Sequence, residues 1–164
     1  MNGTFKPAWW CRGAHAQTLW GSLFRARLKI RLKRRRLELP DGDFLDLDFL
    51  ESPSANGRQA IPLVVILHGL EGSSNASYVQ SLIGEIYGRG WDAMVINMRM
   101  CSGVPNRLRQ TYHSGKSEDL AHVVEYLKEK ERRSELYVVG YSIGGNILLK
   151  WLGEQGSNIP CEIP

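Results

Sequence analysis

Cysteine is scarce in this 164-residue chain: Cys11, Cys101 and Cys161 are the three present, far apart, with no CxxC pair and no histidines at zinc-ligand spacing. That excludes a disulfide scaffold and a cysteine-rich metal centre, so no metal and no cofactor are expected, and reduced thiols suit a cytoplasmic protein. Long hydrophobic runs are missing too. The longest, around Leu63 to Leu67, is far too short to span a bilayer, and the N-terminus lacks the apolar core of a secretion signal, so a soluble chain without a transmembrane segment is expected. Neither sign of charge is in large excess: 21 Lys and Arg against 17 Asp and Glu give +4, too little to mark a nucleic-acid partner. What remains, 43% hydrophobic, is the composition of one ordinary globular domain.

The chain divides into an N-terminal arm over 1–27, a hairpin over 28–50 and an α/β core over 61–153. The arm is rich in aromatic and small residues (Trp9, Trp10, Trp20, Phe24). From Arg25 to Arg36, Leu28, Ile30 and Leu32 fall at period two among cations, the alternation of a strand with one basic face. Pro40-Asp41-Gly42 then separates it from a second alternating run, Phe44 to Phe49, which reads as a hairpin. The basic run could hold phosphate or anionic lipid, but intervening Leu and Ile are what a half-buried strand with a solvated face requires.

From Ile61 the pattern changes. Leu63 to Leu67 is a continuous β-branched run, as expected of a strand buried on both faces of a parallel sheet. Val79, Leu82, Ile83 and Ile86 mark an amphipathic helix, Asp92 to Met98 the next strand, and Leu120, Val123, Val124 and Leu127 a second helix. Ser117 reads as the cap of that helix, and Glu118 and Asp119 in its first turn suit the helix dipole, which leaves Asp119 without a catalytic reading. Leu136 to Val139 is a third buried strand and Ile143 to Leu152 a third helix. Strand and helix alternating at this spacing predict an α/β sheet.

At the end of that third strand lies Gly140-Tyr141-Ser142-Ile143-Gly144-Gly145, a G-x-S-x-G pattern between strand and helix. A serine on so sharp a turn takes a strained backbone, and a Cβ two residues to either side would clash, so glycine flanks it. Ser142 is the candidate nucleophile. After the first buried strand, His68-Gly69-Leu70-Glu71-Gly72 stands where acyl transfer needs N–H donors for a developing oxyanion, and the main chains of Leu70 and Ile143 are the candidate donors. His122 reads as structural, and His15 and His113 as hydrogen-bonded structural residues.

Six stretches resemble the YheT-like branch of the α/β-hydrolases, the abhydrolase type of serine esterase and lipase: Ala14 to Leu19, Leu37 to Asp48, His68 to Gly72, Cys101-Ser102-Gly103 with Pro105-Asn106-Arg107, Tyr112 to Gly115, and Gly140 to Lys150. They cover most of the chain in family order. The resemblance implies the α/β-hydrolase fold, an N-terminal antiparallel hairpin followed by parallel βαβ units. It further implies Ser142 as nucleophile, Leu70 and Ile143 as the oxyanion hole, and metal-free hydrolysis of a small-molecule carboxylic ester or lipid ester. An acyltransferase uses the same triad.

Two departures stand out. The family usually has glycine before Cys-Ser-Gly, where this chain has Met100. In this fold the triad runs Ser, Asp or Glu, then His, yet no aspartate or histidine follows Ser142, and His15, His68, His113 and His122 all precede it. The chain therefore reads as the N-terminal half of a hydrolase, truncated after the elbow helix. Two expectations follow: little esterase activity from these residues alone, or a catalytically inactive product acting only by association, and self-association through a bare Leu136–Val139 sheet edge.

Overall fold

The computed structural model describes residues 5–24, 30–50, 61–131 and 135–157. The elements in chain order are α1 (Ala14–Phe24), β1 (Lys33–Glu38), β2 (Phe44–Leu50), β3 (Leu63–Leu67), α2 (Ser77–Gly88), β4 (Asp92–Asn97), α3 (Ser117–Glu129), β5 (Leu136–Gly140) and α4 (Ile143–Gln155). The strands form one mixed, open sheet in the order β1-β2-β4-β3-β5. β1, β2 and β4 pair antiparallel, whereas β4, β3 and β5 run parallel.

Every residue of β3 and β4 is buried, because helices cover both faces of the parallel part. Val64, Ile66 and Val95 point to one side, against Val79, Ile83 and Ile86 of α2. Leu63, Val65, Leu67, Met94 and Ile96 point to the other, against Leu120, Val123, Val124 and Leu127 of α3 and Ile147 and Trp151 of α4. The period-two switch along each strand assigns every apolar residue to one of two cores. In sequence, β5 holds in parallel register on β3, Leu67 opposite Gly140, so the loops after both strands leave the same edge of the sheet.

Three sequence expectations change. The basic strand begins at Lys33 rather than Leu28: residues 30–32 lie before it, with Ile30 and Leu32 packed on the α2 core, and Arg25 to Lys29 lie outside the described residues, as does Cys161. Its face is not a free cation surface. Arg34 and Arg36 stand opposite Asp48 and Asp46 in the β1/β2 register and form ion pairs of 2.7 and 2.8 Å with them. Arg35 reaches Glu131 at 3.0 Å and lies 4.5 Å from the centre of the Phe49 ring. Ser117 does not cap α3 either. The preceding position is Lys116, without a side-chain cap, and the Ser117 hydroxyl instead donates to Glu154 and accepts from Lys150 at 2.9 Å, tying α3 to α4. The arm, read only as rich in aromatic and small residues, contains α1, and no helix among the described residues is long and apolar enough to cross a membrane.

Candidate active site

The site is built where three adjacent parallel strands end, the place at which open α/β sheets bind ligands. Among the described residues, Glu71, Met100 and Ser142 are the only non-glycine residues with positive φ, at +52°, +69° and +51°. They follow β3, β4 and β5 respectively. Each such backbone costs on the order of 1–3 kcal/mol and persists only where its surroundings over-determine it.

The turn at Ser142 is over-determined by contact. Tyr141 N–H donates to Leu67 O at 3.0 Å, and Gly144 N–H to Tyr141 O at 2.9 Å, which closes the chain from β5 into α4. A Cβ on Gly140 would lie 2.6 Å from the Gly144 carbonyl and the Gly145 Cα, and one on Gly144 would lie 2.6 Å from the carbonyl oxygens of Leu67 and His68. Glycine is required at Gly140 because α4 starts directly over the end of β5, and at Gly144 because that first turn of α4 lies against the end of β3. Ser142, between them, is exposed. Its Cβ lies 3.6 Å from where a Cβ on Gly69 would stand, so the two turns touch.

The turn after β3 is held from below by His68, which is fully buried. Its Nδ1 lies 2.8 Å from Gly69 O, and its Nε2 accepts the Met98 N–H at 3.1 Å. That pairing requires the neutral ring with its proton on Nδ1, and burial lowers the imidazole pKa in the same sense. Both nitrogens are engaged, so His68 is a brace between β3 and β4 and has none left for Ser142. Deeper in the same wall, Ser74 N–H donates to Asn97 Oδ1 at 3.0 Å, and the Ser74 hydroxyl and Asn97 amide both donate to Asp48, at 2.6 and 2.8 Å. Burial alone would raise the Asp48 pKa, but hydrogen bonds from Arg34, Ser74 and Asn97 outweigh it and hold the carboxyl below its usual range.

The loop after β4 forms the facing wall, and its anchor is Asp43. This carboxylate, at 0% exposure, accepts from Phe44 N–H, Arg107 N–H and the Asn106 amide at 2.9, 3.0 and 3.0 Å, with the Arg99 guanidinium 3.2 Å away. Arg99 in turn grips Asp119 with two bonds of 2.8 Å and reaches Asp41 at 2.8 Å. Its pKa rises above the ordinary value, chiefly through the bonds it donates to Asp119 and against the effect of burial. Asp119 is thus a partner of Arg99 as well as a first-turn carboxylate. Asn106 Oδ1 accepts Met100 N–H at 2.7 Å and pins Met100 in its left-handed conformation. A positive φ there is what a glycine would adopt freely, which gives the departure at Met100 its physical meaning.

Between these walls lies an open cleft of about 810 Å³, lined by Leu70, Glu71, Met100, Cys101, Tyr112, His113 and Ile143 among others. Neither Leu70 N–H nor Ile143 N–H donates to any acceptor among the described residues. A hydroxyl on a strained turn beside two unused backbone donors is an arrangement suited to acyl transfer. His113 lines the cleft, with Nδ1 accepting Gly115 N–H at 3.1 Å. His15 is exposed on α1, and His122 lies on α3, 3.8 Å from Glu125. Sequence reasoning missed Tyr78 and Tyr112, whose hydroxyls accept the N–H groups of Gly69 and Glu71, and it missed Asp43 and Arg99 as anchors. Asp43 sits in a turn signature that already accounted for it.

Residues 62–161 match the family model described as alpha/beta hydrolase fold. The chain is 41% identical over 148 residues to the protein named "Putative esterase YheT" of Escherichia coli (strain K12), across 90% of this chain and 43% of that one. It is 32% identical to a monoacylglycerol lipase of Saccharomyces cerevisiae over 69% of this chain and 26% of the lipase. Against human phospholipase ABHD3 it is 26% identical over 96% of this chain and 39% of the phospholipase. The chain therefore spans less than half the length of these relatives. Among solved structures, the Pyrococcus furiosus esterase Pf2001 superposes with a TM-score of 0.61 at 23% identity, over 75% of this chain and 46% of the esterase, a likeness of fold.

Proposed function

The chain belongs to the α/β-hydrolase family, in its YheT-like branch, and from that premise we propose that it supplies the nucleophile and oxyanion hole of a serine hydrolase acting on carboxylic or lipid esters. The observation that carries this is the strained, exposed Ser142 next to the unused N–H group of Ile143, which lines the cleft together with Leu70, whose N–H is also unused. Ser142 Oγ attacks the ester carbonyl, its proton passes to a base, and the two N–H groups take up the charge that develops on the carbonyl oxygen. The alcohol leaves, and water releases the acid from the acyl-serine. Lipid esters fit the names of two relatives, a monoacylglycerol lipase and a phospholipase. The free thiols of Cys11 and Cys101 fit a cytoplasmic setting.

The base belongs, on this reading, to the part of the hydrolase that the longer relatives carry and residues 1–164 do not span. His68 has both nitrogens engaged, and no aspartate or histidine follows Ser142 in this sequence. The full-length protein is expected to be labelled at Ser142 by a fluorophosphonate and to turn over a p-nitrophenyl ester, both lost in Ser142→Ala. Residues 1–164 alone are expected to give little turnover, since loss of a triad histidine costs on the order of 10⁶ in kcat in related chemistry. A folded full-length protein that neither reacts with the probe nor cleaves any ester offered would sink the proposal.

A second reading, association without catalysis by residues 1–164, has its own support: β5 pairs only with β3 among the described residues and stands outermost in the sheet. Unpaired N–H and C=O groups along such an edge invite another strand. Sedimentation of residues 1–164 at micromolar concentration is expected to show dimers or larger species. A monodisperse monomer with one cooperative unfolding transition contradicts it.

A further inference from the structure

The turn after β3 leaves one amide free between two that are taken. Gly69 N–H donates to the Tyr78 hydroxyl at 2.8 Å and Glu71 N–H to the Tyr112 hydroxyl at 2.7 Å, while Leu70 N–H, between them, donates to nothing among the described residues. The phenols arrive from opposite walls. Tyr78 stands in the first turn of α2, and Tyr112 lies in the long loop between β4 and α3.

Each phenol is itself fixed. The Tyr78 ring lies 4.7 Å, centre to centre, from that of Tyr141, the residue before Ser142, so one side chain touches both turns of the site. Tyr112 meets the His68 ring edge-on at 6.4 Å. A Cβ on Gly72 would lie 2.8 Å from the Tyr78 oxygen, so the glycine makes room for this bond. Glu71, at φ +52°, holds a conformation that an unrestrained glutamate would leave. The bond from its own N–H to Tyr112 resists that relaxation.

We propose that Tyr78 and Tyr112 are positioning residues which, by taking the amides on either side, fix the peptide that presents Leu70 N–H to the oxyanion. This rests on the reading of Ser142 as nucleophile. A backbone donor contributes only if it is already aimed where charge develops. An amide on a strained, exposed turn would otherwise wander, and three neighbouring N–H groups would compete for one oxygen. Two fixed acceptors remove both faults.

The test uses the full-length protein and single Tyr78→Phe and Tyr112→Phe variants, which keep the rings and remove the acceptors. Deleting an oxyanion donor outright costs about 10²–10³ in kcat; for a donor misaimed rather than deleted we expect a fall of roughly 10-fold with KM within about twofold. Inhibition by a trifluoromethyl ketone, whose serine adduct carries the oxyanion, should weaken by about the same factor. A merely structural role would lower the melting temperature and leave both ratios alone. Should a Phe variant not fold, 3-fluorotyrosine at that position weakens the acceptor and keeps the shape. Labelled wild type with unchanged kcat and ketone affinity in the folded variants overturns this inference alone. Wild type that no fluorophosphonate labels overturns the nucleophile reading and the inference together.

Discussion

The turn at Ser142 and the loop that follows β4 each hold a strained residue where parallel strands end, yet they are held in opposite ways. The first is fixed by steric contact within a few residues and with the strand beside it: Gly140 and Gly144 have no room for a Cβ, and two backbone hydrogen bonds close the turn. The second is fixed by charge and hydrogen bonding from far along the chain. Asp43, Asp119 and Arg99, drawn from the hairpin, α3 and the end of β4, meet in a buried network, and Asn106 pins Met100 from within the loop. A backbone clash is short-ranged and leaves a signature in neighbouring residue types. A satisfied carboxylate leaves none, because its partners are set by the fold.

The comparison breaks most directly at Arg99, which is 2% exposed and faces three carboxylates. Arg99→Ala leaves Asp43 and Asp119 without their shared cation, and breaking a buried pair in this way costs about 3–5 kcal/mol. Urea unfolding at neutral pH reads this, and a loss under 1 kcal/mol would mean that the network is decoration. Acid sharpens the test. Burial raises the pKa of Asp43, but bonds from Asn106, Arg107 and Phe44 and the charge of Arg99 outweigh it and leave the folded value below the usual range; Asp41, bonded to Asp43 N–H and Arg99, shifts the same way. A carboxylate with a lowered folded pKa stabilises the protein above its unfolded pKa of about 3.9, and loses that contribution as pH falls through the folded value. Wild type should therefore lose stability as pH drops below about 4. Arg99→Ala, with less of this contribution to lose, should fall by a smaller increment over the same range.

The same contrast explains what could be read from the sequence. The runs that became β3 and β4, and the stripes of α2 and α3, were legible because burial on two faces or one leaves a period in the apolar residues. The elbow was legible because its glycines are demanded by the geometry of a strand turning at once into a helix. The arm concealed α1 because the helix buries no apolar stripe: residues 14–20 are all exposed, Leu19 and Trp20 among them. Ser117 looked like a cap because serine before acidic residues is the usual signal, but its hydroxyl is taken by Glu154 and Lys150 from another helix. The cations of β1 read as a solvated strand face, whereas the register places Asp46 and Asp48 across from Arg36 and Arg34. For Ser117 and the β1 cations the missing information was the identity of a partner distant in sequence.

A smaller effect separates steric demand from mere glycine content within one helix, α4. Gly144 sits where a Cβ would press on the backbone oxygens of Leu67 and His68 at 2.6 Å, whereas Gly153 has nothing within 4 Å and faces solvent. Gly144→Ala must push α4 off the sheet, an overpacking cost of about 1–3 kcal/mol that should also misplace Ser142 and slow its labelling. Gly153→Ala should act in the other direction. Its φ is not in the left-handed range, the site is exposed, and alanine in a helix interior is favoured over glycine by about 1 kcal/mol through the entropy the unfolded chain no longer loses. Thermal unfolding of the two variants side by side should move the midpoint down for Gly144→Ala and slightly up for Gly153→Ala. Equal destabilisation by both would mean that α4 tolerates no side chain for reasons of helix packing at large, and that the clash at the elbow is not what makes its glycine necessary.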